Sequence, residues 1–265
     1  MTLPYQHPAI PLPRLQVVSL GITQAPFSVV ENGIMRAARQ GESRTVCFAN
    51  AHMVVESRQN PQVAQAVNSA DWVLADGVPL LWAIKRLYKQ RQERVAGMDM
   101  LPALLKRAAE EQLPVLFYGS TPDRLEQSAA VCRRLFPGLQ IAGLIAPPFR
   151  PLTPAEEDAE IKQIRQSGAK LVFVSLGCPK QERWMARMRG RIPAVLLGIG
   201  GALPVLTGEH GRAPAWMRNL GLEWTYRLAL EPRRLFSRYA TTNALYLWHL
   251  GRQLAGHKPS LSGHS

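Results

Sequence analysis

The chain has 265 residues, 46% of them hydrophobic and 19% charged, enough apolar material for a large core and too much for wholesale disorder. Its 32 Lys+Arg against 19 Asp+Glu leave a formal charge of +13, which points to an anionic partner: nucleic acid, acidic lipid headgroups or a phosphorylated substrate. Cys47, Cys132 and Cys178 lie far apart without CxxC spacing, so neither a disulfide framework nor a zinc site is expected, and a reducing compartment fits.

Residues 1–13 hold no Lys or Arg and too much proline for the apolar region of an export signal. Strands are then expected at Leu15–Leu20, Thr45–Ala49, Trp72–Ala75, Val115–Tyr118, Leu139–Ala142, Leu171–Leu176 and Val195–Ile199. Between them Pro102–Gln112, Asp123–Phe136 and Pro154–Ser167 carry apolar residues at helical spacing, with proline and acids at the expected starts. This alternation predicts an α/β fold, a Rossmann-like, mostly parallel sheet with helices on both faces. The uncharged run Pro193–Leu206 is too short for a membrane span and reads as a buried strand plus a turn. A cytoplasmic chain with only peripheral membrane contact, on the inner face of the cell membrane, is the expectation.

After Leu206 the pattern changes. Residues 207–256 read as two or three helices rich in Arg, Trp and Tyr, and Gly256–Ser265 as a frayed tail. The expected organisation is an α/β domain over 1–206 and a basic, aromatic helical appendage over 207–265.

In a parallel sheet, ligands gather where strands end, so those loops carry the functional reading. Asn50, after the second strand, is either a helix N-cap or a polar hand beside a helix N-terminus suited to a phosphate or sugar hydroxyl. Asp76-Gly77 closes an apolar strand; it is a turn, or a carboxylate held in a cleft for general-base work. In Arg94-Val95-Ala96-Gly97-Met98-Asp99 the guanidinium is a solvated charge or an anion fork, and Asp99 caps the next helix or touches substrate. Gly177-Cys178-Pro179-Lys180-Gln181-Glu182 places a permissive glycine, then Lys180, Gln181 and Glu182, at a strand-to-helix turn; it is an ordinary turn or a loop that recognises phosphate or hydroxyl groups. Gly198-Ile199-Gly200-Gly201-Ala202 lacks the third glycine of a dinucleotide fingerprint. No Walker A loop, GxSxG elbow, metal-spaced cluster or Asp-x-Asp occurs, so no metal and no cofactor is expected.

Taken in order, Ala70-Asp71-Trp72-Val73-Leu74-Ala75-Asp76-Gly77, Arg94–Asp99, Gly177–Trp184, Arg212-Ala213-Pro214-Ala215-Trp216-Met217 and Gly221–Leu228 with Glu231–Leu235 resemble the WecG/TagA/CpsF family of bacterial glycosyltransferases. The likeness runs from about Leu20 to Tyr239. It implies metal-free, inverting transfer of a sugar from a UDP-sugar to a polyprenyl-diphosphate-linked saccharide in exopolysaccharide or other cell-surface glycan synthesis. It also implies roles: Asp76 as base, Arg94 stabilising the departing diphosphate, and Asn50 and Gln181 binding donor or acceptor. Gly77, Gly97, Asp99, Gly177, Lys180 and Glu182 complete the expected substrate-binding set. Two positions depart from the family pattern: Phe48 replaces a threonine, and Leu203-Pro204 replaces Phe-Asp. Both changes are expected to remove polar groups near the donor pocket, which favours a plain hexose.

Residues 205–265 hold eight Lys+Arg and three acids, about twice the net charge per residue of the preceding chain. On a single helix from Leu222, kinked at Pro232, Arg227, Arg234 and Arg238 share one face. That face is either solvated or grips a lipid diphosphate at an anionic membrane surface, the use that the resemblance implies. A detached appendage would expose apolar surface and favour a homo-oligomer. The rival classes are a nucleic-acid-binding protein, which the charge suggests but no recognition motif supports, and a nucleotide-dependent oxidoreductase.

Overall fold

The computed structural model of the protein describes residues 12–209, 211, 213–214, 217, 223–230 and 232–256. The chain opens with an antiparallel hairpin, β1 (Arg14–Val17) and β2 (Leu20–Thr23), in which Val17 pairs with Leu20. The single strand expected at Leu15–Leu20 is therefore two, because the chain turns at Val18-Ser19 with Val18 at φ 54°. A β-branched residue is rare there. The C-terminal helix helps to hold it: the Val18 N–H donates to Gln253 Oε1 at 2.8 Å.

The main sheet has six parallel strands in the order β4-β3-β8-β7-β5-β6. They are β3 (Arg44–Ala49), β4 (Trp72–Ala75), β5 (Val115–Gly119), β6 (Ile141–Ile145), β7 (Leu171–Ser175) and β8 (Val195–Gly198). Trp72–Ala75 is the strand expected from sequence, whereas β6 lies a little later than Leu139–Ala142. Their side chains alternate between two cores, as the twofold strand period requires. Cys47, Val73, Tyr118 and Val174 face one core; Phe48, Leu74, Phe117 and Phe173 face the other.

Helices cover both faces. The first core is closed by the hairpin and by α2 (Ala51–Gln59), α3 (Pro61–Asn68), α4 (Val78–Tyr88), α7 (Pro154–Gln166) and α8 (Lys180–Met188). The second is closed by α1 (Phe27–Gln40), α5 (Gly97–Glu110), α6 (Pro122–Leu135) and α9 (Ala202–Leu206). Local chemistry sets their starts: Asn60 caps α3 ahead of Pro61, and Thr153 with Glu156 forms a complete capping box on α7. After β3 the chain turns to the first face, and after the adjacent β8 it turns to the second. Diverging connections of this kind open a crevice at the carboxyl ends of the two strands.

The run Pro193–Leu206 is a buried strand followed by the short helix α9, so the expected turn is partly helical. Beyond it come α10 (Glu223–Leu230) and α11 (Pro232–Gly256). The single kinked helix expected from Leu222 is thus two helices, because Pro232 opens a new one at the position where its missing N–H costs nothing. α11 packs on α2 and α4, burying Thr242, Tyr246 and Leu250. The Gln253 amide also donates to Gln16 O at 3.0 Å. The end of the appendage therefore shares the core of the α/β domain. No helix among the described residues is long and apolar enough to cross a membrane.

Candidate active site

Three of the singled-out loops meet at the carboxyl ends of β3 and β4. The Asp76 N–H donates to Ala49 O at 2.9 Å, and the Val95 N–H donates to Ala75 O at 3.0 Å. These backbone bonds set the loop that carries Asp76 beside Asn50 and bring the Arg94 loop alongside. Gly77 lies against Asn50 in this approach: a Cβ there would stand 3.6 Å from the Asn50 Cβ, an ordinary contact. Gly97 plays a similar part below, since a Cβ would lie 3.3 Å from the Phe48 ring.

Within this group Asn50 is the N-cap of α2, its Oδ1 accepting from the Met53 N–H at 3.1 Å. Such a cap contributes about 1 kcal/mol. Its side chain is nevertheless exposed, and its amide nitrogen has no hydrogen bond among the described residues. Both readings of Asn50 thus remain compatible with one rotamer. Asp76 is partly buried just before the first turn of α4, the loop geometry that desolvates a carboxylate without closing it off. Arg94 is fixed by Asp99, Nη2 to Oδ2 at 2.7 Å, with side chains 19% and 32% exposed. Asp99 does not cap α5, whose N-cap is Ala96 without a side-chain bond; it sits in the first turn and aims the guanidinium instead.

The fourth loop arrives from β7 and reaches β8, the neighbour of β3. Gly177 has φ +79°, and a Cβ there would have nothing within 4 Å, so glycine serves the turn here and not a close approach. Pro179, after a cis bond from Cys178, is the N-cap of α8 and not its first helical residue. Lys180 is exposed in the first turn. Gln181 and Glu182 turn inward, at 4% and 1% exposure. The Gln181 Nε2 donates to Glu182 Oε1 at 2.8 Å and to Gly198 O at 3.0 Å. Gly198 makes room for this, because a Cβ there would meet Met185 Cε at 2.8 Å and Gln181 Nε2 at 3.0 Å. Burial pushes the Glu182 carboxyl above the usual carboxylate range, against hydrogen bonds from Gln181, its own N–H and the Cys178 thiol. The same burial, with Glu182 nearby, pushes the Cys178 thiol up, so it is no nucleophile at neutral pH. Gln181 Oε1 and Glu182 Oε2 are buried without a partner. Each such atom costs about 1–3 kcal/mol, a burden that sites of function tolerate.

The structure thus gathers Asn50, Asp76, Gly77, Arg94, Gly97, Asp99, Gly177, Lys180, Gln181 and Glu182 along one rim of the sheet. It sorts them by depth: Gly97, Gln181 and Glu182 are buried beneath the rim, and the others line or support it. Phe48 and Leu203, at 5% and 2% exposure, pack into the second core. The departures at Phe48 and Leu203 therefore change core packing, whereas Pro204, where the family pattern has aspartate, is half-buried in α9. Arg227 lies on α10 and Arg234 and Arg238 on α11; their side chains lie outside the described residues. Two surface hollows lie elsewhere. One of roughly 550 Å³ sits between α7 and Gly190-Arg191, and one of roughly 310 Å³ lies between Gln24–Pro26 and Arg91–Glu93.

Sequence reasoning missed one contact into the site. The Tyr246 hydroxyl of α11 donates to Pro79 O at 2.9 Å, in the first turn of α4, three residues beyond Asp76. The four-residue spacing of Thr242, Tyr246 and Leu250 was the available signal for this buried stripe.

The rim brings together a carboxylate, a fixed guanidinium, two amides and glycines, with the C-terminal helix hydrogen-bonded beside it through Tyr246. The model of the glycosyl transferase WecG/TagA/CpsF family matches residues 15–260, nearly the whole chain. The protein therefore belongs to the WecG/TagA/CpsF family and is an inverting hexosyltransferase of surface-polysaccharide biosynthesis.

Proposed function

We propose that the protein transfers a hexose from a UDP-sugar to a saccharide carried on a polyprenyl diphosphate, working at an anionic membrane surface. The observation that carries this reading is the convergence of Asp76 and the Asp99-held Arg94 on one strand-end crevice. Asp76 takes the proton of the acceptor hydroxyl as its oxygen bonds to the anomeric carbon from the face opposite the diphosphate. The bond from that carbon to the UDP oxygen breaks with inversion, and Arg94 meets the charge that develops on the leaving diphosphate. Lys180 and the first turn of α8 offer further positive potential along the same rim. Asn50 and Gln181 engage hydroxyl or amide groups of the substrates.

The appendage supports a peripheral seat. Phe236, Leu247, Trp248 and Leu254 of α11 are exposed, and Phe236, Leu247 and Leu254 fall at helical spacing on one stripe. An aromatic stripe suits headgroup depth. Arg227, Arg234 and Arg238 would meet the lipid diphosphate, each basic group contributing on the order of 1 kcal/mol near an anionic leaflet. In organisation, residues 1–206 form the catalytic domain and 207–265 the membrane-facing appendage.

A panel of UDP-hexoses and UDP-N-acetylhexosamines, offered with a short-chain polyprenyl-diphosphate saccharide, tests the reading. One donor is expected to release UDP in proportion to glycosylated lipid. Turnover of other nucleotide sugars alone, or of none of the UDP-sugars, overturns it.

A further inference from the structure

Gln181 is held from two sides by oxygens that accept from its amide nitrogen. Gly198 O is a backbone carbonyl and stays an acceptor at every pH, and it lies 3.0 Å from the amide nitrogen. Glu182 Oε1 lies 2.8 Å from the same nitrogen. Turning the amide over would set three oxygens against one another inside the protein, where repulsion is least screened. The amide therefore has one orientation, with its nitrogen spent on the protein. Its Oε1 is buried and has no partner among the described residues. Gly200, at backbone φ +49°, faces this oxygen: a Cβ there would stand 3.7 Å from Oε1. The neighbouring Gly201 has open space where a side chain would be.

We propose that Glu182 is a positioning residue that locks the Gln181 amide with Oε1 turned to the crevice, so that Gln181 receives a hydroxyl or N–H of the substrate and never a phosphate oxygen. The proposal rests on the reading of the loop after β7 as part of the substrate crevice. It divides the rim chemically. Arg94 and Lys180 suit the anionic part of the donor, whereas Gln181 suits a neutral donor group, a sugar hydroxyl, an acetamido N–H or a base N–H.

The full-length protein, labelled with 15N at glutamine side chains, gives the first readout, with Gln181 assigned by the signal lost in Gln181→Ala. Its amide protons are expected to exchange about tenfold or more slowly than those of exposed glutamines. Glu182→Met, which removes the acceptor but keeps the length, is expected to abolish most of that protection, and Glu182→Gln, whose Oε1 can still accept, to keep it. Melting curves confirm that each variant is folded. The second readout is kinetic. Glu182→Met is expected to lower kcat/KM about tenfold, Glu182→Gln to restore it, and the Glu182→Met/Gln181→Ala pair to be no worse than Gln181→Ala alone. Inhibition by inorganic pyrophosphate is expected to stay within about twofold in Gln181→Ala, since an acceptor oxygen cannot bond a phosphate. Unchanged amide protection in Glu182→Met, additive kinetic losses, or pyrophosphate inhibition that vanishes with Gln181 would each overturn the proposal. A wild type inactive with every UDP-sugar would sink the donor reading alone; the exchange measurement then decides the lock by itself.

Discussion

The two ends of β4 each carry an aspartate, and the protein treats them in opposite ways. At the amino end Asp71, with its side chain 8% exposed, accepts from Arg44 at 2.8 Å, Arg189 at 3.0 Å and the Thr45 N–H at 2.9 Å. Arg14 adds bonds to the carbonyls of Asn68, Ala70 and Asp71. Hairpin, sheet and the end of α8 are thereby cross-tied by side chains. At the carboxyl end the Asp76 loop is set by backbone bonds, and nearby α8 has buried oxygens without partners among the described residues. Parallel strands make this division natural, because helices that directly follow the sheet strands start at one end and leave the other for ties. The Asp71 carboxylate is engaged in holding the fold, whereas Gln181 Oε1 and Glu182 Oε2 are buried without a partner among the described residues.

Replacing each aspartate with asparagine breaks the comparison most sharply. Asp76→Asn is expected to lower kcat by about 10²-fold or more without moving the melting temperature. Asp71→Asn should destabilise by about 1–3 kcal/mol and leave the rate per folded molecule within about twofold. Initial rates and thermal melts on both variants decide it. An active Asp76→Asn, or an Asp71→Asn that melts normally with poor turnover, would erase the distinction.

The arginines give a smaller contrast. Arg94→Ala is expected to reduce kcat/KM for the UDP-sugar about tenfold or more through lost charge stabilisation. Asp99→Asn weakens the 2.7 Å tie that aims Arg94 and should cost only about threefold. Arg44→Ala, at the other end, should lower the melting temperature and leave kcat/KM alone. Equal kinetic losses from Arg44→Ala and Arg94→Ala would show that position on the sheet does not sort the charges.

Much of this arrangement was legible from the sequence, and the misses have physical causes. The strand at Trp72–Ala75 and the Asp76-Gly77 loop were readable because an apolar run ends abruptly in a carboxylate and a glycine. The hairpin was not, because its turn is Val18-Ser19 and carries none of the Asn or Gly that mark such turns. Strand order was also hidden, as it depends on which face each connection takes. At the start of α8, Lys180-Gln181-Glu182 reads as three polar neighbours on one solvated turn. Only packing against Gly198 reveals that the first is outside and the other two inside. Phe48 and Leu203 misled for the converse reason: their substitution pattern suggested a pocket wall, but the strand and helix phases turn both into the core.

The smallest expected effect concerns the sign of a stability change. Burial raises the Glu182 pKa in the folded protein above the value of about 4.3 expected of an unfolded chain. The folded state then holds the proton more tightly, so this group's contribution to stability is fully present below the unfolded value. It is lost as pH rises through the raised folded value. Glu182→Gln keeps the acceptor for Gln181 but does not titrate. Its melting temperature relative to wild type is therefore expected to climb from pH 4 to pH 7. A difference that stays flat across that range would mean that Glu182 ionises in the folded protein as easily as in water. The Asp71→Asn change runs the other way at neutral pH, since it weakens bonds to arginines that are already made.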